Sequence, residues 1–99
     1  MDYYSILEIN KNASNNEIRK AYKKMALKYH PDKNNFDTTS NFQLISEAYQ
    51  TLIDEDKRKD YDRFGKIPDN FDNPHEIFSK LFKHLDPKLS GFLEKYLGK

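Results

Sequence analysis

The chain has 99 residues, of which 33% are charged and 14% aromatic, and its formal net charge is +1. This length and composition predict one globular domain with a charged surface and no room for a second core. The absence of cysteine excludes disulfides, thiolate metal sites and cysteine nucleophiles, and the near-zero net charge argues against nucleic-acid binding by charge alone.

The N-terminal segment predicts an intracellular protein. The sequence Met1-Asp2-Tyr3-Tyr4 lacks the basic start and the apolar run of a signal peptide. No apolar stretch of the chain approaches the roughly 18 residues of a membrane span. We therefore expect a soluble protein of the cytoplasm, with the nucleus as the alternative compartment.

The first thirty residues predict two helices. A short helix over residues 3–8 follows Asp2, which is a suitable N-cap residue, and residues 10–13 form a turn. Ser14 and Glu17 have the spacing of a capping box at the start of the second helix. An apolar stripe at the helical period follows, consisting of Ile18, Ala21, Tyr22, Met25, Ala26 and Tyr29. This helix must end near Tyr29, because Pro31 disfavours helical conformation in the residue before it.

The second predicted helix is strongly basic on its remaining surface. Residues 15–29 contain five basic residues and one acidic residue, and the basic ones lie mostly off the apolar stripe. These basic residues are Arg19, Lys20, Lys23, Lys24 and Lys28. Taken alone, such a face is usually a solvated surface, although it also suits a negatively charged partner.

A polar loop over residues 30–38 separates this helix from a third. The third helix is predicted to begin near Thr39 or Ser40, and Ser40 and Gln43 have the spacing of a second capping box. Its apolar stripe consists of Phe42, Ile45, Ala48, Tyr49, Leu52 and Ile53. Two helices of this length joined by a short loop are expected to pack antiparallel.

A fourth helix is predicted from about Asp56 to Arg63, with Gly65 as its C-terminal cap. The sequence then divides into a linker with two prolines over residues 66–74 and a C-terminal extension over residues 75–99. The extension contains two apolar stripes separated by Asp86-Pro87. The first consists of Ile77, Phe78, Leu81, Phe82 and Leu85, and the second of Leu89, Phe92, Leu93, Tyr96 and Leu97.

Several short motifs occur in a fixed order over residues 2–65. They are Tyr3-Tyr4-Ser5-Ile6-Leu7, Ile18-Arg19-Lys20-Ala21-Tyr22, Lys28-Tyr29-His30-Pro31-Asp32-Lys33-Asn34, Phe42 with Glu47-Ala48-Tyr49 and Leu52, and Lys57-Arg58-Lys59-x-Tyr61-Asp62-x-Phe64-Gly65. Together they resemble the J-domain of DnaJ-type (heat-shock protein 40) co-chaperones. A His-Pro-Asp tripeptide alone is common by chance, whereas the tripeptide between two helical stripes with these flanking motifs is specific. Glu8 is a small departure, since many members of the family have glycine there, and it should affect only the end of the first helix.

The resemblance implies an all-α fold over residues 1–65. Four helices are expected, with the second and third as an antiparallel hairpin and the tripeptide at its tip, followed by one or two amphipathic helices in the extension. The absence of a Gly/Phe-rich linker and of a cysteine-rich zinc module is typical of the class that consists of the J-domain alone.

The resemblance also implies a partner and a set of contact residues. The partner is a heat-shock 70-kDa chaperone, bound where its nucleotide domain, linker and substrate domain meet, and its ATP hydrolysis is accelerated. The residues implied to contact it are Arg19, Tyr22, Lys23, Lys24, His30, Pro31, Asp32, Lys33, Asn34 and Phe42. Tyr22 is expected to bury its ring and to expose its hydroxyl group.

Less specific interpretations stay open beside this one. By itself, His30-Pro31-Asp32 is most simply a turn that stops a helix. The alternative function is that of a scaffold or adaptor, which uses the basic helix to bind protein or nucleic acid without stimulating an ATPase. No nucleic-acid binding and no cofactor are expected. No enzyme activity is expected either, because the serines lack a nucleophile context and no Gly-rich phosphate loop exists. His75 and His84 are too isolated to predict a metal site.

The C-terminal extension leaves three possibilities open. Its stripes are too apolar to remain in water, since burial of each Leu, Ile or Phe contributes about 1.5–3 kcal/mol. They are predicted either to fold against each other and the preceding domain, to form a dimer or bind a client protein, or to lie on a membrane surface.

Overall fold

The computed structural model describes residues 2–31 and 37–83 of the chain. Within these residues it consists of five helices and contains no strand, which confirms the all-α prediction. The helices are α1 (Tyr3–Leu7), α2 (Asn15–Lys28), α3 (Thr39–Ile53), α4 (Glu55–Phe64) and α5 (Pro74–Lys83). None of these helices is long and apolar enough to cross a membrane.

Both ends of α1 follow the prediction. The Asp2 carboxylate accepts a hydrogen bond from the backbone N–H of Ser5 at 2.8 Å and thereby caps the helix. The C-cap residue is Glu8, whose φ of 58° lies in the left-handed region. Glycine adopts this conformation without a steric penalty, so glutamate at this position leaves local strain at the end of α1.

Helix α2 begins with the predicted capping box. The Ser14 Oγ accepts a hydrogen bond from the Glu17 N–H at 3.2 Å, and the Glu17 carboxylate accepts one from the Ser14 N–H at 3.0 Å. Hydrogen bonding to the carboxylate from the Ser14 backbone and side chain lowers the pKa of Glu17. The helix ends at Lys28 with Tyr29 as its C-cap residue, as the position of Pro31 predicts.

Helix α3 begins at the predicted residue but without the predicted cap. Its first residue is Thr39, and its N-cap residue is Thr38, whose side chain makes no capping hydrogen bond. Ser40 therefore lies inside the helix, and the Gln43 amide donates to the Glu47 carboxylate at 3.1 Å. The Ser40–Gln43 capping box is wrong, because Glu47 offers Gln43 a partner one turn along the same helix face.

Helices α2 and α3 pack as the predicted antiparallel hairpin. The rings of Tyr22 and Tyr49 lie 4.7 Å apart between their centroids. Eight residues further along α2 and its C-terminal loop, the His30 ring lies 5.3 Å from that of Phe42. As the chain advances along α2, the residues of α3 that it contacts come earlier in the sequence. The two helices therefore run in opposite directions.

The core lies where α1, α2 and α3 meet, and α5 extends it along α3. Most residues of the predicted stripes are buried, while Ala21, Tyr29 and Ile53 are only partly so. The buried apolar residues of the four N-terminal helices and their connections are Tyr3, Tyr4, Leu7, Ala13, Ile18, Tyr22, Met25, Ala26, Phe42, Ile45, Ala48, Tyr49 and Leu52.

Helix α4 is longer than predicted and has no buried residue. The Asp54 carboxylate caps its start by accepting hydrogen bonds from the N–H groups of Asp56 and Lys57. Gly65 ends it as predicted, with a φ of 65° and an N–H bond of 2.9 Å to the Tyr61 carbonyl.

Aromatic and polar contacts hold α4 against α1. The Tyr61 hydroxyl accepts a hydrogen bond from the Tyr3 N–H at 2.9 Å, and the two tyrosine rings stack at 4.8 Å. The Tyr4 hydroxyl donates to the Asp62 carboxylate at 2.7 Å and accepts from the Arg58 Nε at 3.1 Å. The Arg-Lys-x-Tyr-Asp part of the last motif therefore attaches α4 to the core.

Helix α5 packs against α3. Pro74 is its first residue, and the Asn73 side chain accepts a hydrogen bond from the His75 N–H at 2.8 Å. The buried residues of α5 are Ile77, Phe78 and Phe82, with Leu81 partly buried. The first C-terminal stripe therefore packs within the molecule as far as the structure describes it, while Leu85 and the second stripe lie outside the described residues.

Candidate functional site

The loop that carries the His-Pro-Asp tripeptide is closed at its base. The Thr38 hydroxyl donates a hydrogen bond to the Tyr29 carbonyl at 2.8 Å, and the Thr38 side chain is buried. The Asp37 carboxylate accepts a hydrogen bond from the Thr39 N–H at 2.9 Å, and bonding to Thr39 lowers the pKa of Asp37. The bond between Thr38 and Tyr29 joins the end of α2 to the start of α3.

The imidazole of His30 lies under α5. Its ring centroid is 4.6 Å from that of Phe78 and 6.2 Å from that of His75, both on α5. On the α3 side, Phe42 contacts His30 edge-on. Only 6% of the surface of His30 is exposed. Pro31 is partly exposed, whereas the predicted site residues Asp32, Lys33 and Asn34 lie outside the described residues.

The basic face of α2 borders this loop. Arg19, Lys20, Lys24 and Lys28 are exposed, and Lys23 is partly exposed. Burial raises the pKa of the Tyr49 hydroxyl, and hydrogen bonding to the neighbouring Arg19 guanidinium opposes that rise. The positive charge thus extends from the middle of the hairpin towards its loop, as the sequence predicts.

Comparison with known proteins identifies the family to which this helical arrangement belongs. The family model described as the DnaJ domain matches residues 2–62, which is more than half of the chain. The chain belongs to the DnaJ-domain family. This result confirms the resemblance to the J-domain that the motifs predict.

Relatives of the J-domain include bacterial proteins named chaperone protein DnaJ. The one from Nitratiruptor sp. is 57% identical over 68 residues, covering 67% of this chain and 18% of the relative. The one from Chlamydia pneumoniae is 60% identical over 68 residues, covering 67% of this chain and 17% of the relative. The one from Wolinella succinogenes is 45% identical over 98 residues, covering 82% of this chain and 26% of the relative. The chain thus spans only 17–26% of the length of these three relatives.

Solved structures give the same fold. A crystal structure of the J-Trx1 fragment of ERdj5 matches with a TM-score of 0.64 and 48% identity, over 67% of this chain and 34% of that one. Form II of ERdj5 matches with a TM-score of 0.65 and 45% identity, over 75% of this chain and 10% of that one.

Tyr22, one of the predicted contact residues, lies in the core and not on the surface. Tyr22 is fully buried, and its hydroxyl has no hydrogen-bond partner among the described residues. Burial accordingly raises the pKa of Tyr22. The expectation that Tyr22 exposes its hydroxyl is wrong, because the hydroxyl oxygen is buried with the rest of the side chain. Phe42, another predicted contact, is 2% exposed beneath α5.

The sequence did not indicate that α5 is part of this site. The stripe that contains Phe78 predicts burial, but its spacing does not identify the surface it covers. His75 is too isolated in the sequence to predict a metal site, and in the structure its ring centroid lies 5.2 Å from that of Phe42. Among the described residues, no group of three or more His, Cys, Asp or Glu side chains is arranged to hold a metal ion.

Proposed function

We propose that this chain is a J-domain co-chaperone that binds a heat-shock 70-kDa chaperone and stimulates its ATP hydrolysis, assisting protein folding or client loading. The observation that carries the proposal is the position of His30 and Pro31 directly after the basic helix α2, where the Thr38 hydroxyl donates a hydrogen bond to the Tyr29 carbonyl. Both features occur within the segment that matches the DnaJ domain.

The loop and the basic face have different roles in this proposal. The cations of α2 attract an acidic surface of the chaperone over a long range and set the orientation of the encounter. Pro31 has a fixed φ and no N–H donor, so it stiffens the tripeptide. Asp32 accepts a charge-assisted hydrogen bond from an arginine of the partner. Loss of such a buried pair costs about 2–5 kcal/mol, against less than about 1 kcal/mol for an exposed charge pair.

The proposed contact residues follow from the resemblance, and Arg19 and Lys24 among them are exposed. Arg19, Lys23 and Lys24 form the docking face, and His30, Pro31, Asp32, Lys33 and Asn34 form the triggering loop. Tyr22 is left out, since its buried side chain supports α2 from within. Phe42 acts through the ring of His30, which it contacts.

The chain performs no chemistry in this proposal. It favours the hydrolysis-competent state of the chaperone through contacts that are stronger in that state, as every allosteric effector must. The J-domain-only class and a cytoplasmic location stay predictions. A role for residues 75–99 in binding a client, a second copy of the chain or a membrane surface also stays a prediction.

The test is single-turnover ATP hydrolysis by a purified heat-shock 70-kDa chaperone. The parent chain is expected to accelerate hydrolysis, and His30→Gln and Asp32→Asn are expected to abolish that acceleration. Removal of the Asp32 charge should also lower the affinity by about 30-fold or more.

Asp60→Asn is the matched control for Asp32→Asn. It removes the same charge from an exposed position on α4, away from the loop, and it should leave the acceleration unchanged. Circular dichroism verifies that each variant is folded. If neither the folded parent nor any folded variant of it accelerates a chaperone, the proposal is contradicted and the scaffold role of the basic helix is favoured.

A further inference from the structure

Helix α5 covers the residue to which the proposed function gives the central part. His30 is 6% exposed, and its ring is enclosed by Phe42 from α3 and by His75 and Phe78 from α5. Phe78 in turn stacks on Phe82 at 4.2 Å, which continues the apolar contact along α3. His30 and Phe42 therefore belong to an aromatic cluster that includes Phe78 and Phe82 of α5.

A second attachment holds α5 in this position from its N-terminal side. The Gln50 side-chain amide donates a hydrogen bond to the Asp72 carbonyl at 3.1 Å, and its oxygen accepts one from the Asp72 N–H at 2.8 Å. The side chain of Gln50 on α3 thus pairs with the backbone in both directions. The Asn73 cap and Pro74 then start α5 directly after this pair.

The contacts of α5 conflict with binding of a chaperone at the same residues. A side chain that contributes strongly to an interface is enclosed by the partner. The imidazole of His30 and the ring of Phe42 are already enclosed by Phe78. Both occupants require the same surface of the hairpin tip, so α5 has to leave before the partner encloses His30.

We infer that α5 is an autoinhibitory helix, which competes with the chaperone for the surface formed by His30 and Phe42 and limits stimulation until it is displaced. The inference rests on the proposed function. When only a fraction of the molecules is open, the apparent dissociation constant is the intrinsic constant divided by that fraction. Any change that loosens α5 without altering His30 must therefore tighten binding.

Two variants loosen α5 in different ways. Gln50→Ala removes the pairing with Asp72 at a position outside the proposed contact residues, and Phe78→Ala removes the ring that covers His30. Gln50→Ala is expected to lower the apparent dissociation constant for the ATP-bound chaperone about five- to tenfold, and Phe78→Ala about tenfold or more. Stimulation at subsaturating concentrations should rise in proportion.

Each variant has a matched control on the same helix. Gln43→Ala removes an amide that bonds to Glu47 of its own helix, and Ser79→Ala alters the exposed side of α5. Neither control is expected to change the affinity. Circular dichroism verifies the fold, and Gln50→Ala keeps the test valid if Phe78→Ala unfolds.

Amide hydrogen exchange measures the displacement itself in the full-length chain. The amides of residues 77–83 should be protected in the free protein and should exchange faster when a saturating amount of chaperone is bound. Unchanged protection in the complex would overturn the inference, as would loosening variants that bind no more tightly than the parent or bind more weakly.

The result also separates this inference from the proposed function. If the parent stimulates hydrolysis, His30→Gln does not, and Gln50→Ala behaves like the parent, the function stands and the inference fails. If a nearly inactive parent becomes active through Gln50→Ala, both are supported. If no folded variant stimulates any chaperone, the function fails and the inference fails with it.

Discussion

At the scale of single residues, the tyrosines of the core differ in what their hydroxyl groups contact. The Tyr22 hydroxyl is buried without a partner among the described residues, whereas that of Tyr4 bonds to both Asp62 and Arg58. A buried polar group without a hydrogen bond destabilises the folded state, and one with good partners contributes to its stability. The same substitution should therefore have opposite effects at the two positions.

We predict that Tyr22→Phe raises the free energy of unfolding by about 1 kcal/mol, because it removes an unsatisfied buried hydroxyl and keeps the ring. Tyr4→Phe is expected to lower it by about 1–2 kcal/mol, because it leaves Asp62 and Arg58 without their common partner. Urea denaturation monitored by circular dichroism measures both values. Equal effects of the two substitutions would contradict this account.

Tyr22→Phe also tests the contact that the resemblance implies. If the hydroxyl is buried in solution as it is in the structure, the variant should bind the chaperone as tightly as the parent does. A loss of affinity larger than about fivefold would mean that Tyr22 reaches the partner, and the predicted contact would then be restored.

At the scale of elements, the attachment of α4 to the rest of the molecule depends more on the contacts of Arg58 than on buried side chains. None of its residues is buried, and the Arg58 guanidinium joins it to two other parts of the chain. Its Nε donates to the Tyr4 hydroxyl, and its Nη2 donates to the Lys11 carbonyl at 3.0 Å. The Arg58 guanidinium carbon also lies 5.6 Å from the centroid of the Tyr4 ring. A planar group with several donors is needed for this set of contacts.

We predict that Arg58→Lys lowers the free energy of unfolding by about 1–2 kcal/mol, because the ammonium group cannot reproduce both hydrogen bonds and the contact with the ring. Arg63→Lys, at an exposed position of the same helix, is the control and should have no measurable effect. Thermal unfolding and amide exchange in α4 measure the difference. If the two variants behave alike, α4 is held by the stacking of Tyr61 on Tyr3 instead.

The sequence predicts some elements better than others. The reason is how far apart in the chain the interacting residues lie. The start of α2 is predicted because Ser14 and Glu17, three residues apart, hydrogen-bond to each other. The cap of α3 is not predicted, because the Thr38 hydroxyl donates to the Tyr29 carbonyl across the loop. The role of Arg58 in joining α4 to α1 depends on partners at residues 4 and 11, and such distant contacts have no local signal.

At the scale of the whole molecule, the same distinction applies to the site. The tripeptide and the basic helix are predicted from motifs in the chain. The burial of His30 is not, because it requires α5, which begins more than forty residues later in the chain. The spacing of Ile77, Phe78 and Phe82 predicts an apolar face but fits any apolar surface of suitable shape. Packing of the complete chain is what places this face over His30.

Charge acts on this scale as well, because the basic face of α2 lies in a molecule whose net charge is only +1. The position of the cations should therefore matter more than their number. Lys23→Gln with Lys24→Gln removes two charges from the proposed docking face. Lys57→Gln with Lys66→Gln removes two charges from exposed positions in α4 and just after it, and leaves the same net charge.

We predict that the first pair of substitutions slows association with the chaperone about three- to tenfold at low salt, and that the second pair leaves it nearly unchanged. The difference should shrink as salt is added, because the screening length falls from about 30 Å at 0.01 M to about 3 Å at 1 M. Stopped-flow or surface-based kinetics over this range measure the association rate. If both pairs slow association equally, net charge governs the encounter and α2 is not its docking face. If only the first pair does so, the basic face orients the J-domain before α5 is displaced from His30.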